Sequence, residues 1–188
     1  MTEKVKSLTE VVTGKIRMSY VHIFEPHAIS EGQDKKYSLC VLIPKSDTAT
    51  LRKIKAAVDA AREEGKTSKW NGKIPTGLKL PLRDGDDDRP EQPEYTGHFF
   101  LNASSKNKPA IVNEFVAPVL DQTEVYSGCY GRVALNFFAF NSAGNKGVGC
   151  GLNAVQKLAD GEPLSGGSRS AEEYFDAVSG GGEDDFLS

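Results

Sequence analysis

Apolar positions along the chain change period several times, and each change marks an element. Residues 13–24, TGKIRMSYVHIF, mix β-branched, aromatic and cationic side chains and predict a long strand. Residues 35–45, KKYSLCVLIPK, predict a second strand stopped by Pro44, with 25–34 as a turn-rich loop between the two. Over 46–65 the period becomes helical. Leu51, Ile54, Val58 and Ala61 share one face, Ser46 or Asp47 caps the start, and Gly65 ends the helix. Residues 66–97 hold much Gly, Pro and Asp without a period, and predict a long excursion over the surface. Strand patterns return at 98–105 and 109–113 and are strongest at 131–141, GRVALNFFAFN. SAGNKG at 142–147 supplies Asn and Gly for a tight reversal, so 148–158 is expected as the hairpin partner. Near the C-terminus, Ser170 and Glu173 form a capping box for a short helix over 170–178, and Gly180, Gly181 and Gly182 follow it.

Five or six strands with one helix after the second predict a small closed β-barrel with long loops. Pattern alone leaves a sandwich open.

Composition fits a globular body, and no apolar run approaches the ~18 residues of a membrane span. The N-terminal MTEKVKSLTEVV has no apolar signal segment, so a cytoplasmic location is expected. Cys40, Cys129 and Cys150 are widely spaced and sit in apolar or Gly-rich runs, which reads as reduced structural thiols. Charge is uneven. The net charge is −3, yet six acids and no base follow Arg169; without them the body holds 20 acids and 23 bases. A mildly basic body of 1–166 and a flexible acidic tail of 167–188 are therefore expected.

The chain lacks a G-x-S-x-G elbow and a phosphate-binding G-x-x-x-x-G-K-[ST] loop, and GNKGVGCG (144–151) reads as a hairpin turn. His22, His27 and His98 are scattered. Asp84, Asp86 and Asp88 begin a calcium-loop spacing, but Arg89 stands where glycine is needed and Tyr95 where the bidentate glutamate belongs. Magnesium held by these aspartates, as in a structure-selective nuclease, is the runner-up; a solvated turn is preferred. No catalytic set and no cofactor are expected.

Aromatics interleaved with cations are the stronger signal. In HFFLNASSK, alternation puts Phe99, Leu101 and Ala103 on a core face and Phe100, Asn102, Ser104 and Lys106 on a polar one. Phe100 there is either a stacking platform for a base, leading to Lys106 and Lys108, or an edge ring covered by a loop. Trp70 lies in GKTSKWNGKIP between Lys66, Lys69 and Lys73. It either stacks on single-stranded nucleic acid or pins the loop to the barrel. Lys15, Arg17, Tyr130 and Arg132 add a weaker cationic and aromatic set. No helix is basic enough for a major groove.

The segments KYSLCVLIPK, KWNGKIPTGLKLPLRDGD, YSGCYGRVALNFFAFNSAGNKGVGCGLNAVQKLADGEPLSGG and the terminal EDDF together resemble the OB-fold single-stranded DNA-binding proteins of tailed bacteriophages. That resemblance implies a mainly β, five-stranded Greek-key barrel with one helix after the second strand, long loop insertions, and a groove for single-stranded DNA without sequence preference. It also implies work in phage DNA replication, recombination and repair, and no catalysis. By the same likeness, Glu183, Asp184, Asp185 and Phe186 would recruit a polymerase, helicase or primase, and the tail would compete with DNA for the groove. A protein-only adaptor is the remaining alternative. Monomer and dimer are both open.

Overall fold

The structure is a computed structural model that describes residues 7–28, 30–164, 175 and 178. In chain order the elements are β1 (Glu10–Val12), β2 (Ile16–His27), β3 (Lys36–Pro44), α1 (Thr48–Ser68), β4 (Arg83–Asp84), the single turn α2 (Gly85–Asp88), β5 (His98–Ser105), β6 (Ala110–Val112), β7 (Tyr130–Ser142) and β8 (Asn145–Ala159). Among the described residues no helix is long and apolar enough to cross a membrane.

Five strands close on one another. β2 pairs antiparallel with β3, β3 with β5, and β7 with both β8 and β2, while β5 meets β8 in parallel at Ser104 and Gly151. The ring β7–β2–β3–β5–β8 is an OB-fold barrel, as the resemblance implied. Alternation along β7 fills it: Val133, Leu135 and Phe137 point inward and are buried. Along β3, Leu39, Val41 and Ile43 enter the main core, whereas Cys40 and Leu42 face outward into a second, smaller cluster with Tyr95 and Phe100. The near-continuous apolar run of this strand reflects cover on both faces.

α1 begins at Asp47, whose carboxylate accepts the Thr50 backbone N–H at 3.2 Å and the Thr50 hydroxyl at 2.7 Å. The helix does not stop at Gly65. It runs to Ser68, and Gly65 is buried where α1 crosses β7. A Cβ at Gly65 would come within 2.4 Å of Ala139 Cβ and 2.9 Å of the Trp70 ring. Gly65 therefore permits a close helix–sheet approach rather than terminating the helix.

Three further features depart from the sequence expectations. β2 continues through His27 instead of ending at 24, with register shifts after Ser19 and after His22. β1 adds an unforeseen strand, pairing Glu10 with Asn136 on β7. The 66–97 excursion starts beside the β7–β8 hairpin, where Lys79 bridges Gly147, and then carries β4, α2 and a 3-10 turn at Pro93–Tyr95, with β4 paired to β5. The expected helix at 170–178 lies outside the described residues apart from Phe175 and Val178, which are in neither helix nor strand.

Candidate nucleic-acid interface

The outer face of β2, β3 and β5 divides into a covered part and an open part. At the covered end, Leu42 pairs with Phe100, and Tyr95 closes over them and Cys40. Tyr95 meets Phe100 edge-on with ring centroids 4.9 Å apart, and Leu164 packs against the same cluster. Arg83 and Arg89 lay their guanidinium groups 5.4 and 5.3 Å from the Phe100 ring centre. Burial pushes the Cys40 thiol up to about 11, and burial raises the Tyr95 hydroxyl as well, so both stay protonated.

The open part is a groove. A cavity of about 360 Å³ is lined by Tyr20 and His22 of β2, Ser38 of β3, Asn102 of β5 and Arg89. It shares Tyr20 and His22 with a depression that reaches Glu94, Ser127 and Leu164, and through Glu94 and Leu164 it continues to Arg17 and Glu162. In the other direction His27, Ser38 and Ser104 join it to a cavity of about 490 Å³ under the β2–β3 loop, beside Gln33, Asp34 and Lys36. The trough thus crosses the strands instead of following them.

Tyr20 and the two histidines are placed by irregularity in β2. Tyr20 has φ 47°, a left-handed backbone seldom adopted by a residue with a bulky side chain, and the residue is 53% exposed. The register shifts on either side of His22 bring it back against His27, with ring centroids 4.1 Å apart and planes 9° from parallel. Burial, then the nearby His27, lowers the pKa of His22.

The residues expected from sequence to meet nucleic acid are distributed over the molecule. Asn102 is exposed on the groove floor. Phe100 takes the outward direction that alternation predicts, but it is only 1% exposed. It is the edge ring covered by a loop, not a stacking platform, because segment 83–95 and the two arginines occupy its surroundings. Trp70 is corrected likewise. It is 5% exposed, packs against Gly65, and donates its indole N–H to the Phe140 carbonyl at 3.2 Å. Trp70 pins the chain after α1 to the barrel.

Lys66, Lys69 and Lys73 remain exposed around that anchor. The Asn141 side-chain amide donates to the Lys69 carbonyl at 3.4 Å, so this cluster adjoins the β7–β8 hairpin, where Lys79 and Lys146 are also exposed. Because β5 and β8 are parallel, the hairpin lies at the opposite end of the barrel from the β2–β3 loop. Lys15 and Arg17 stand 5.1 and 5.5 Å from the Tyr130 ring centre. Arg17 also donates to the carbonyls of Gly128 at 3.1 Å and Glu162 at 2.6 Å, and Arg132 donates to Thr13 O at 3.2 Å. Lys106 and Lys108 are exposed in the β5–β6 turn, with Lys108 5.7 Å from the Phe24 ring centre. Glu183, Asp184, Asp185 and Phe186 lie outside the described residues.

The aspartates of the magnesium alternative are committed elsewhere. Lys45 bridges Asp84 at 2.8 Å and Asp86 at 2.7 Å, and Arg83 pairs with Asp88 at 2.6 Å. That alternative needs carboxylates free to hold a cation, and these are neutralised within the chain. The three cysteines are buried and free, as structural thiols should be. Tyr20, His22 and His27 escaped sequence reasoning as site residues. Their only signal was membership of a strand already crowded with aromatics.

Residues 9–187 match a family model described as the ssDNA-binding protein of Enterobacter phage Enc34. The chain is 32% identical over 184 residues to protein p50 of Acyrthosiphon pisum secondary endosymbiont phage 1, spanning 95% of this chain and 98% of that one. Among solved structures it is similar to the Enc34 phage single-stranded DNA-binding protein in complex with ssDNA, with a TM-score of 0.76, 24% identity, and 87% and 97% of the two chains covered. The C-terminal truncation of that protein aligns with a TM-score of 0.74 and 25% identity, over 87% and 96%. The single-stranded DNA-binding protein gp2.5 of bacteriophage T7 shares the fold at a TM-score of 0.61 and 15% identity, over 92% and 96%.

Proposed function

The chain belongs to the family of the Enterobacter phage Enc34 single-stranded DNA-binding protein, and we propose that it binds single-stranded DNA without sequence preference in the groove across β2, β3 and β5. The observation that carries this reading is Tyr20, an exposed ring held over a groove by a bulge. Next to it, the parallel His22 and His27 rings extend the flat surface. Bases stack on such rings whatever their identity, because every base has a π-face. Arg89, Lys36 and Arg17 line the same trough and are placed for phosphates. Asn102, Ser38 and Ser104 offer the floor hydrogen-bonding groups too few to read a sequence. Lys106 and Lys108 extend the cationic path past the end of β5. The lysines around the β7–β8 hairpin, Lys66, Lys69 and Lys73 among them, flank the barrel's other end as a second backbone contact.

The role is one of binding without catalysis, in the cytoplasm of the host cell. Coating of unpaired strands serves replication, recombination and repair. Residues 1–166 form the DNA-binding body and 167–188 an acidic extension that recruits a polymerase, helicase or primase through Glu183, Asp184, Asp185 and Phe186. Leu164, beside the start of that extension, lines the groove. That Leu164 stands on the groove wall, with the acids after it in sequence, supports competition between tail and DNA.

Titration of labelled oligo-dT, a matching duplex and RNA at two salt concentrations tests the reading. Oligo-dT binds most tightly, and log K falls against log salt by roughly 0.7 per phosphate contacted. A chain that ignored oligo-dT in dilute buffer would overturn it.

A further inference from the structure

Beyond β6 the chain makes a tight turn that is braced on every side. The Asn113 side-chain carbonyl accepts the backbone N–H groups of Phe115 at 2.9 Å and Ala117 at 3.0 Å. Asn113 N–H donates to Ala117 O at 2.9 Å, and Val119 N–H to Ile111 O at 3.0 Å. From β8, the Gln156 amide donates to the carbonyls of Asn113 and Glu114, both at 3.3 Å. Val116 has φ 63°, a left-handed backbone that a β-branched residue adopts only under constraint.

This bracing displays apolar side chains. Phe115 is 80% exposed, Val116 69% and Leu120 90%, while Ile111 and Val119 already provide the hairpin's share of the core. An unconstrained chain would turn such residues inward, so the strain works against burial within this molecule. The surroundings are acidic. No Lys or Arg occurs from Pro109 to Gly131, whereas Glu114, Asp121 and Glu124 do. A cavity of about 550 Å³ beside the turn is lined by Glu114, Glu124 and Asp160, and its one cation, Lys157, is paired with Asp160. Phosphates are repelled from such a face. The turn also lies at the β6–β8 edge of the sheet, away from the groove over β2, β3 and β5.

We propose that Glu114, Phe115 and Val116, with Leu120 beside them, form a preorganised docking knob for a second protein, one that presents an apolar pocket rimmed by lysine or arginine. Phe115 fills the pocket, Val116 and Leu120 cover its edge, and the acids meet the rim. The order acid, phenylalanine, branched aliphatic recurs at Asp185, Phe186 and Leu187 in the terminal segment. The knob presents on a fixed turn the chemistry that the terminus carries on a glycine run, and one kind of pocket fits both. The fixed turn loses less entropy on binding.

The test uses the full chain in its native host, with the photo-cross-linker p-benzoylphenylalanine in place of Phe115 and, as control, in place of the exposed Leu80. The expected result is a different protein joined at 115 and not at 80. That protein, purified, binds the full wild-type chain, and Phe115→Ala and Glu114→Lys each weaken the complex by about tenfold or more. The affinity of both variants for oligo-dT stays unchanged, which separates this site from the DNA groove and reports an intact fold. Cross-linking only to another copy of the chain, no product above the Leu80 control, or a captured protein indifferent to both substitutions each overturns the proposal.

Discussion

Tyr20 holds its phenol ring over the groove at the expense of a left-handed backbone, and that strain predicts a separation of effects. Tyr20→Gly removes the ring and supplies the residue that tolerates φ 47° best. Oligo-dT affinity, read by fluorescence anisotropy, is expected to fall about 5- to 150-fold, the equivalent of ~1–3 kcal/mol for a lost stack. Unfolding free energy in urea should move by less than about 1 kcal/mol, since relief of strain offsets the added chain entropy. Trp70→Ala predicts the reverse: destabilisation by about 3–5 kcal/mol from an emptied core site, with little change in DNA affinity while the protein stays folded. Equal losses of affinity in both variants would contradict this assignment. His22 adds a pH dependence. Its pKa is lowered in the folded chain, first by burial and then by the His27 charge. The unfolded state therefore takes up the proton more readily, and free-protein stability falls as pH drops through the lowered pKa. Tyr20, Arg89 and Tyr95 share its cavity, Glu94 lines the adjoining depression, and Asp34 and Lys36 stand beyond His27. Bound phosphates favour the charged imidazole, so affinity should rise on going from about pH 8 to 5.5, with a steeper salt slope. His22→Gln should remove most of that rise. The sequence reading placed aromatics and cations correctly as groups but assigned individual rings poorly. Whether Trp70 or Tyr20 faces solvent depends on one carbonyl 70 residues away and on one bulge, and neither leaves a trace in hydrophobic periodicity.

At the scale of elements, regular segments were legible and their irregularities were not. The α1 face, the β7–β8 hairpin and the alternation of β7 follow from period and turn chemistry. Gly65 was misread because a packing glycine and a terminating glycine look alike until the neighbour, Ala139, is known. Segment 66–97 carries little period because short elements docked on a barrel need none. It is held by specific contacts: Tyr95 against Phe100, Asp84 capping α2, and the Lys45 ammonium between two carboxylates. Those contacts predict how the segment releases. The hydrogen bond and charge of Lys45 hold the Asp84 and Asp86 carboxyls below the usual range. Their folded-state pKa values are depressed, so the stabilisation is present above the unfolded value and disappears as pH falls through the depressed ones. Amide exchange over 83–97 should therefore quicken on acidification below about pH 4, before the barrel strands lose protection. In Lys45→Met that segment should already exchange faster at neutral pH, and the acid-dependent step should shrink. Equal protection in both proteins at every pH would show that the bridge contributes nothing to docking, as holds for many exposed pairs.

Charge is divided along the molecule as a whole, with six acids beyond Arg169 and an excess of three bases up to and including it. The fold gives this division a geometry. After β8 the chain turns back, Leu164 N–H donates to Ser127 O at 2.8 Å, and the Leu164 side chain reaches the cluster under Tyr95. The described body thus ends at a point fixed on the groove wall, and the six acids come eight and more residues further along the chain. A tethered segment competes as an intramolecular ligand, at an effective concentration in the millimolar range for short tethers. Such a competitor excludes ligands that make few contacts and yields to a strand long enough to fill the trough and reach the hairpin lysines. Removal of residues 171–188 should accordingly tighten binding of short oligo-dT severalfold and leave long poly-dT much less changed. The salt dependence of short-oligomer binding should steepen, because in the full chain added salt weakens the tail's own contacts along with those of DNA and the two effects partly cancel. Anisotropy titrations of both proteins against a length series, at two salt concentrations, read all three consequences. Identical length profiles with and without the terminus would leave the tail a role toward other proteins alone and place control of the groove in Tyr20, the histidine pair and the cations that line it.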